Sequence, residues 1–187
     1  MTQCIKHIYT FVYTVSRNPY AKTATLQFST TPATESRSFP ADKPARDRAA
    51  LDWALAHGVE CGGWCPKGRK AEDGPIDPKY PLKETPTASY IQRTEWNVRD
   101  SDATVLLSIG PTLSGGSKKT MEFARKHKKP WLHLCAGETD AAGKLRLFVE
   151  KHRVKVLNVA GPRASKEPGV GEFVMTVLEK DFGDSQG

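Results

Sequence analysis

No apolar run in this chain approaches the ~20 residues that a membrane span requires. The short apolar stretch Ile8–Val15 has no signal-peptide cleavage site after it. No membrane partner is expected. Cysteine is scarce, with only Cys4, Cys61, Cys65 and Cys135. Cys61 and Cys65 flank Gly-Gly-Trp, but a zinc centre needs further ligands at suitable spacing and none stands out. No metal site is expected, and the thiols read as reduced side chains of a cytoplasmic protein. No Ser-His-Asp or Cys-His arrangement can be picked out. His57, His127 and His152 fall near the ends of predicted helices, where a cation suits the dipole, and read as structural. No aromatic-plus-basic motif of an RNA binder is present, so nucleic acid is not expected.

What is there suits one globular domain with a real core: 187 residues, 38% of them hydrophobic. The net charge of +7 is unevenly spread. Residues 1–45 hold 5 basic and 2 acidic side chains, residues 46–187 hold 23 and 19. The larger part is mildly basic, which permits an acidic small molecule as partner. Residues 1–45 also contain 16 Ser, Thr or Pro and no clean periodicity. Ile5–Val15 is a strand candidate there, and the rest reads as poorly ordered coil.

From Arg46 the chain alternates strands and helices. Arg48–His57 reads as a helix with Leu51, Ala54 and Leu55 inward, capped by Asp47 and stopped by Gly58. Val59–Cys61 is a short strand candidate, and Gly62–Thr85 a long loop with four prolines. Thr87–Val98 is helical with Tyr90, Ile91, Thr94 and Val98 along one face. Strands follow at Ala103–Ser108, Trp131–Leu134 and Val154–Val159. Helices follow at Ser117–His127, Ala141–His152 and Val170–Lys180. This pattern predicts an α/β fold: a Rossmann-like, doubly wound, mainly parallel sheet with helices on both faces. The expected organisation is an atypical segment 1–45, a ligand-binding domain 46–182 and a tail 183–187.

Three stretches carry the chemistry. In Leu107–Thr120 a buried strand runs through Gly110 and Pro111 to Ser114, Gly115, Gly116, Ser117 and Thr120 at a helix start. Unpaired N–H groups and the helix dipole favour an anion there. The alternative is a Gly-rich turn with a serine cap. The loop Asn158–Gly169 places Gly161, Arg163 and Ser165 after another strand, suited to phosphate or carboxylate. Gly62–Thr85 offers Lys67, Arg69 and Lys70. In a parallel sheet these loops share the carboxyl edge, where ligands bind. Arg93, Asn97, Asp100 and Asp102 form a polar string that reads as capping and ion pairing rather than acid–base chemistry.

The stretches GGWCPKGRKAEDGPI, YIQRTEWNVRDSDATVLLS, SGGSKKTMEFARKHKKP and LNVAGPRASKEPGVGEF resemble the putative molybdenum carrier family of the SLOG superfamily, over Arg46 to Leu178. The resemblance implies a nucleotide-binding Rossmann-like domain. It also implies a carrier or binding role for a phosphorylated pterin- or nucleotide-like ligand, molybdenum cofactor foremost. Relatives in the superfamily cleave nucleotide N-glycosidic bonds with an Arg and a Glu near a GGxGTxxE loop. On that alternative Arg93 and Glu122 would be the catalytic pair, although Thr120 stands one residue further from its glycine pair than in that motif. Homo-oligomerisation is left open.

The family opens with a strand, then SGGQTG, then x-D-R-A-A-L-D. Here DRAALD stands at Asp47–Asp52, but FPADKPA precedes it. The first phosphate loop is missing, and the first central strand is expected to be missing with it. The codons for Phe39–Ala45, read from the third base of each, become YCC-NGC-NGA-YAA-RCC-NGC. Those triplets permit Ser-Gly-Gly-Gln-Thr-Gly throughout. The hypothesis is that residues 1 to about 45 are translated out of frame. Codons incompatible with that hexapeptide in the nucleotide sequence would refute it.

Overall fold

The computed structural model describes residues 8–9 and 48–182. The readings of the remainder of residues 1–47 and of the tail 183–187 lie outside the described residues. The elements run β1 (Ile8–Tyr9), α1 (Ala49–Ala56), β2 (Cys61–Cys65), β3 (Lys70–Ala71), β4 (Gly74–Pro75), β5 (Leu82–Glu84), α2 (Tyr90–Arg99), β6 (Ala103–Ser108), α3 (Gly115–Lys126), β7 (Trp131–Cys135), α4 (Ala141–Lys151), β8 (Leu157–Ala160) and α5 (Val170–Phe182). Apart from the β3–β4 hairpin, every pairing is parallel, as the α/β reading requires.

The β6 strand is central to one three-stranded sheet, hydrogen-bonded to β7 and β8 on either side. All six of its residues are buried, which is why the sequence there is continuously apolar or small. A second sheet has the order β1-β2-β5, and β1 also lies against β8. A strand of two residues stands beside β2, with Ile8 paired to Cys61 and Tyr9 to Gly62.

The helices flank the sheets in two groups. On one side α1 and α4 both pack on α5. Their apolar cluster includes Trp53, Leu106, Leu145, Leu157 and Leu178. On the other side α2 pairs with α3, with Val98, Phe123 and Ala124 buried between them and Trp131 packed against them.

Two apolar stripes differ from the sequence reading. In α1 the buried face is Ala49, Ala50, Leu51, Trp53 and Ala54, while Leu55 is 41% exposed. Trp53 turns inward because α5 supplies a partner for its indole: Nε1 donates to Glu179 at 2.6 Å. Arg48 occupies the N-cap of α1 without a side-chain cap bond. In α2 the buried residues are Arg93, Asn97 and Val98, while Ile91 is 59% exposed. Polar groups take that face because β2 presents backbone to it. Asn97 accepts from the Trp64 amide at 2.7 Å and donates to the Trp64 carbonyl at 3.0 Å.

The segment 62–85 is more regular than the long loop expected. Most of β2, the β3–β4 hairpin and β5 fall inside it. Its organiser is Arg69, whose guanidinium donates to the carbonyls of Ile76, Asp77, Tyr80 and Leu82 at 2.7, 2.7, 2.9 and 3.2 Å.

The polar string resolves into supports. Asp100 accepts from the Trp64 indole and from Arg99. Asp102 accepts the amides of Lys155 and Val156, tying the chain before β8 to the start of β6. The three histidines each stand at a helix C-cap, His57 on α1, His127 on α3 and His152 on α4.

Candidate functional site

The parallel strands β2, β6 and β8 end at the loops that the sequence singles out. At the end of β6, Ser108 is buried and its hydroxyl donates to the Gly110 carbonyl at 2.7 Å. The same oxygen lies 2.6 Å from His133 Nε2, so the imidazole supplies the proton of that bond. Burial lowers the His133 pKa, partly opposed by Glu138 and Glu167. The next two amides, Ile109 and Gly110, point to Glu167 Oε2 at 2.6 and 3.4 Å. The β6 and β8 loops are thereby joined by a carboxylate.

Beyond this turn the chain enters α3. Ser114 is its N-cap, yet its side chain makes no cap bond. Gly115 has φ +48, and a Cβ added at Gly115 or Gly116 would meet nothing within 4 Å. Among the described residues the helix N-terminus therefore faces open space, with the partial positive charge of its first amides. Ser117 is 3% exposed, and its Oγ has no hydrogen-bond partner among the described residues. A buried hydroxyl without a partner carries a desolvation cost that a ligand oxygen would relieve. Thr120 instead donates to the Gly116 carbonyl at 3.0 Å.

At the end of β8, Gly161 is required by packing: a Cβ there would stand 2.4 Å from the Leu107 carbonyl oxygen of β6. Arg163 and Ser165, both exposed, meet the hairpin turn. Arg163 Nη1 lies 3.4 Å from Glu72 Oε1, and Ser165 Oγ donates to Glu72 Oε2 at 3.0 Å. The Arg163 guanidinium also sits over the Tyr90 ring at 5.2 Å, with Arg93 at 5.7 Å from the same ring.

From the end of β2, the Lys67 amide donates to the Thr87 carbonyl and the Gly68 amide to Glu84 Oε2. The Lys67 and Lys70 side chains are exposed, whereas Arg69 spends its donors on four carbonyls. Arg69 thus shapes the loop from within. Arg93 is buried on α2 and close enough to Cys65 to oppose the rise that burial imposes on that thiol. Glu122 lies further along α3, half exposed and paired with Lys119 at 2.9 Å.

The direct bridges therefore join the hairpin after β2 to the β8 loop through Glu72, and the β8 loop to the β6 loop through Glu167. Neither carboxylate was singled out by sequence, and Tyr90 was read as core. The only hint was that each acid lies in a loop already rich in cations, Lys70 beside Glu72 and Lys166 beside Glu167. Among the described residues no group of three or more His, Cys, Asp or Glu could hold a metal ion. No helix among them is long and apolar enough to cross a membrane.

Among curated proteins none matches the chain. A solved structure does match: the "Putative molybdenum carrier protein" of Syntrophus aciditrophicus SB, at 45% identity and a TM-score of 0.70. The match covers 72% of this chain and 86% of that one. The family model of the circularly permutated YpsA SLOG family matches residues 43–182, beginning just before the first described helix. On a match of that extent, the chain belongs to the circularly permutated YpsA SLOG family.

Proposed function

We propose that this protein binds and carries a phosphorylated, pterin- or nucleotide-like small molecule, with molybdenum cofactor the leading candidate. The phosphate would be held at the start of α3 by the amides of Gly115 and Gly116 and the hydroxyls of Ser114 and Ser117, with Thr120 bracing the turn. Arg163, Ser165 and Lys67 would supply further donors and charge, and Gly161 the close passage of β8 past β6. The observation that carries the reading is Ser117, a buried hydroxyl that has no partner among the described residues, at a helix N-terminus that they leave open. The printed name of the solved relative, a "Putative molybdenum carrier protein", supports a molybdenum-bearing ligand.

Thermal shift tests this. AMP and a pterin phosphate should raise the melting temperature, while adenosine and the free pterin should not. Ligand at about 100 times its Kd stabilises by about 2.7 kcal/mol, or roughly 5–10 °C for a domain of this size. Equal shifts with the dephosphorylated compounds would overturn the phosphate assignment. Free base released from AMP would turn the carrier reading into a hydrolase reading. The position of Glu122, paired with Lys119 on α3, does not favour that outcome.

Gly116→Ala separates binding from folding. The new methyl meets no atom of the described residues within 4 Å, and Ala is better than Gly in a helix by up to about 1 kcal/mol. Stability in urea should be unchanged or slightly raised. Phosphate affinity should fall about tenfold, because the methyl keeps the ligand from the first-turn amides. Unchanged affinity would place the phosphate elsewhere.

A further inference from the structure

Glu72 occupies the turn between β3 and β4, far in sequence from the β8 loop. Its two carboxylate oxygens reach the guanidinium of Arg163 and the hydroxyl of Ser165. A guanidinium beside a hydroxyl is a donor set for a tetrahedral or planar oxyanion. The pair is only moderately screened from water, with both side chains 45% exposed, and one contact is as long as 3.4 Å. Such a pair is weak. Arg163 is held independently of Glu72 by its stacking on Tyr90 at 5.2 Å. The hairpin is likewise held without Glu72. Asp73 takes a two-pronged contact from Arg48 at 2.8 and 2.8 Å, and the Arg48 side chain is 8% exposed. Removing the Glu72 contact thus leaves both sides of the seat in place.

We propose that Arg163 and Ser165 form an anion seat that Glu72 fills when no ligand is bound, and that a phosphate monoester enters by displacing this carboxylate. The proposal rests on the reading of the site as a phosphate site and adds its gating. A phosphate dianion outcompetes the single negative charge of Glu72 for a cation because it brings more charge and a third acceptor oxygen. Glu167 does not play this part. Its contact with the Ile109 amide is 2.6 Å and it lies within the β8 loop itself, so it stays as scaffold.

The test is a titration of AMP and of inorganic phosphate into wild type, Glu72→Gln, Arg163→Ala and the double variant, read at the Ser165 amide resonance. Glu72→Gln should bind about two- to fivefold more tightly, the size expected for losing a partly exposed competing ion pair. In the Arg163→Ala background that gain should vanish. If Arg163→Ala binds too weakly to titrate, Ser165→Ala serves as the background and the gain should shrink. Weaker or unchanged binding by Glu72→Gln would overturn the proposal, as would a gain that survives in the Arg163→Ala background. Binding seen at Gly116 but not at Ser165 in any variant would also overturn it while leaving the phosphate site standing. Absence of binding at both places would remove the site reading itself.

Discussion

Replacing residues 1–45 by an apolar strand followed by Ser-Gly-Gly-Gln-Thr-Gly should raise the melting temperature by about 10 °C and tighten phosphate binding together. Among the described residues β1 supplies two ladder residues to β2, and β8 is hydrogen-bonded in a ladder only to β6. A full parallel strand between β8 and β2 would add roughly four backbone bonds, each worth about 1 kcal/mol net. For a domain of this size 1 kcal/mol corresponds to about 2–4 °C. The glycine loop would end at α1, whose N-cap Arg48 provides no side-chain cap. It would add its own amide donors to the ligand site. An unchanged melting temperature and an unchanged Kd would show that the hexapeptide is dispensable.

Asn97→Ala should destabilise the protein by about 2–5 kcal/mol, since each buried backbone group left unpaired costs about 1–3 kcal/mol. The residue is 0% exposed and satisfies both the amide and the carbonyl of Trp64. Asn97→Asp keeps the acceptor for the amide but sets a carboxylate against the carbonyl. Burial and that contact raise the folded-state pKa of the new acid above the ordinary value of about 3.9. A raised pKa means that its stabilising, protonated form is fully present below about pH 3.9 and is lost as pH rises through the folded value. The deficit of Asn97→Asp relative to wild type should therefore shrink between pH 7.5 and 4.5, while that of Asn97→Ala stays level. Urea denaturation at the two pH values measures both. Parallel behaviour of the two variants would show that the Trp64 carbonyl does not need the donor.

The central strand was legible to the residue. Ala103–Ser108 is buried throughout, so its composition alone carries the signal. The start of α3 was legible too, because a Gly-Gly pair between serines after such a strand has few other uses. The segment 62–85 was not, since its order comes from Arg69 binding four carbonyls and no hydrophobic period reports that. Periodicity places Ile91 inward, but α2 buries Arg93 and Asn97, and Asn97 serves the β2 backbone. Glu72 and Glu167 escaped notice because their partners lie 91 and 58 positions away in the chain. Charge pairing across loops leaves no local trace.

The central claim is that the loops at the ends of β2, β6 and β8 hold one phosphate-bearing ligand. At 20.6 kDa the protein is small enough for amide-resolved NMR. Titration with AMP should shift Gly115, Gly116 and Ser117 most, with Ser165 and Gly68 moving along the same binding curve. Shifts gathered instead around Asp102, Lys155 and Val156, at the opposite edge of β6 and β8, would contradict the claim.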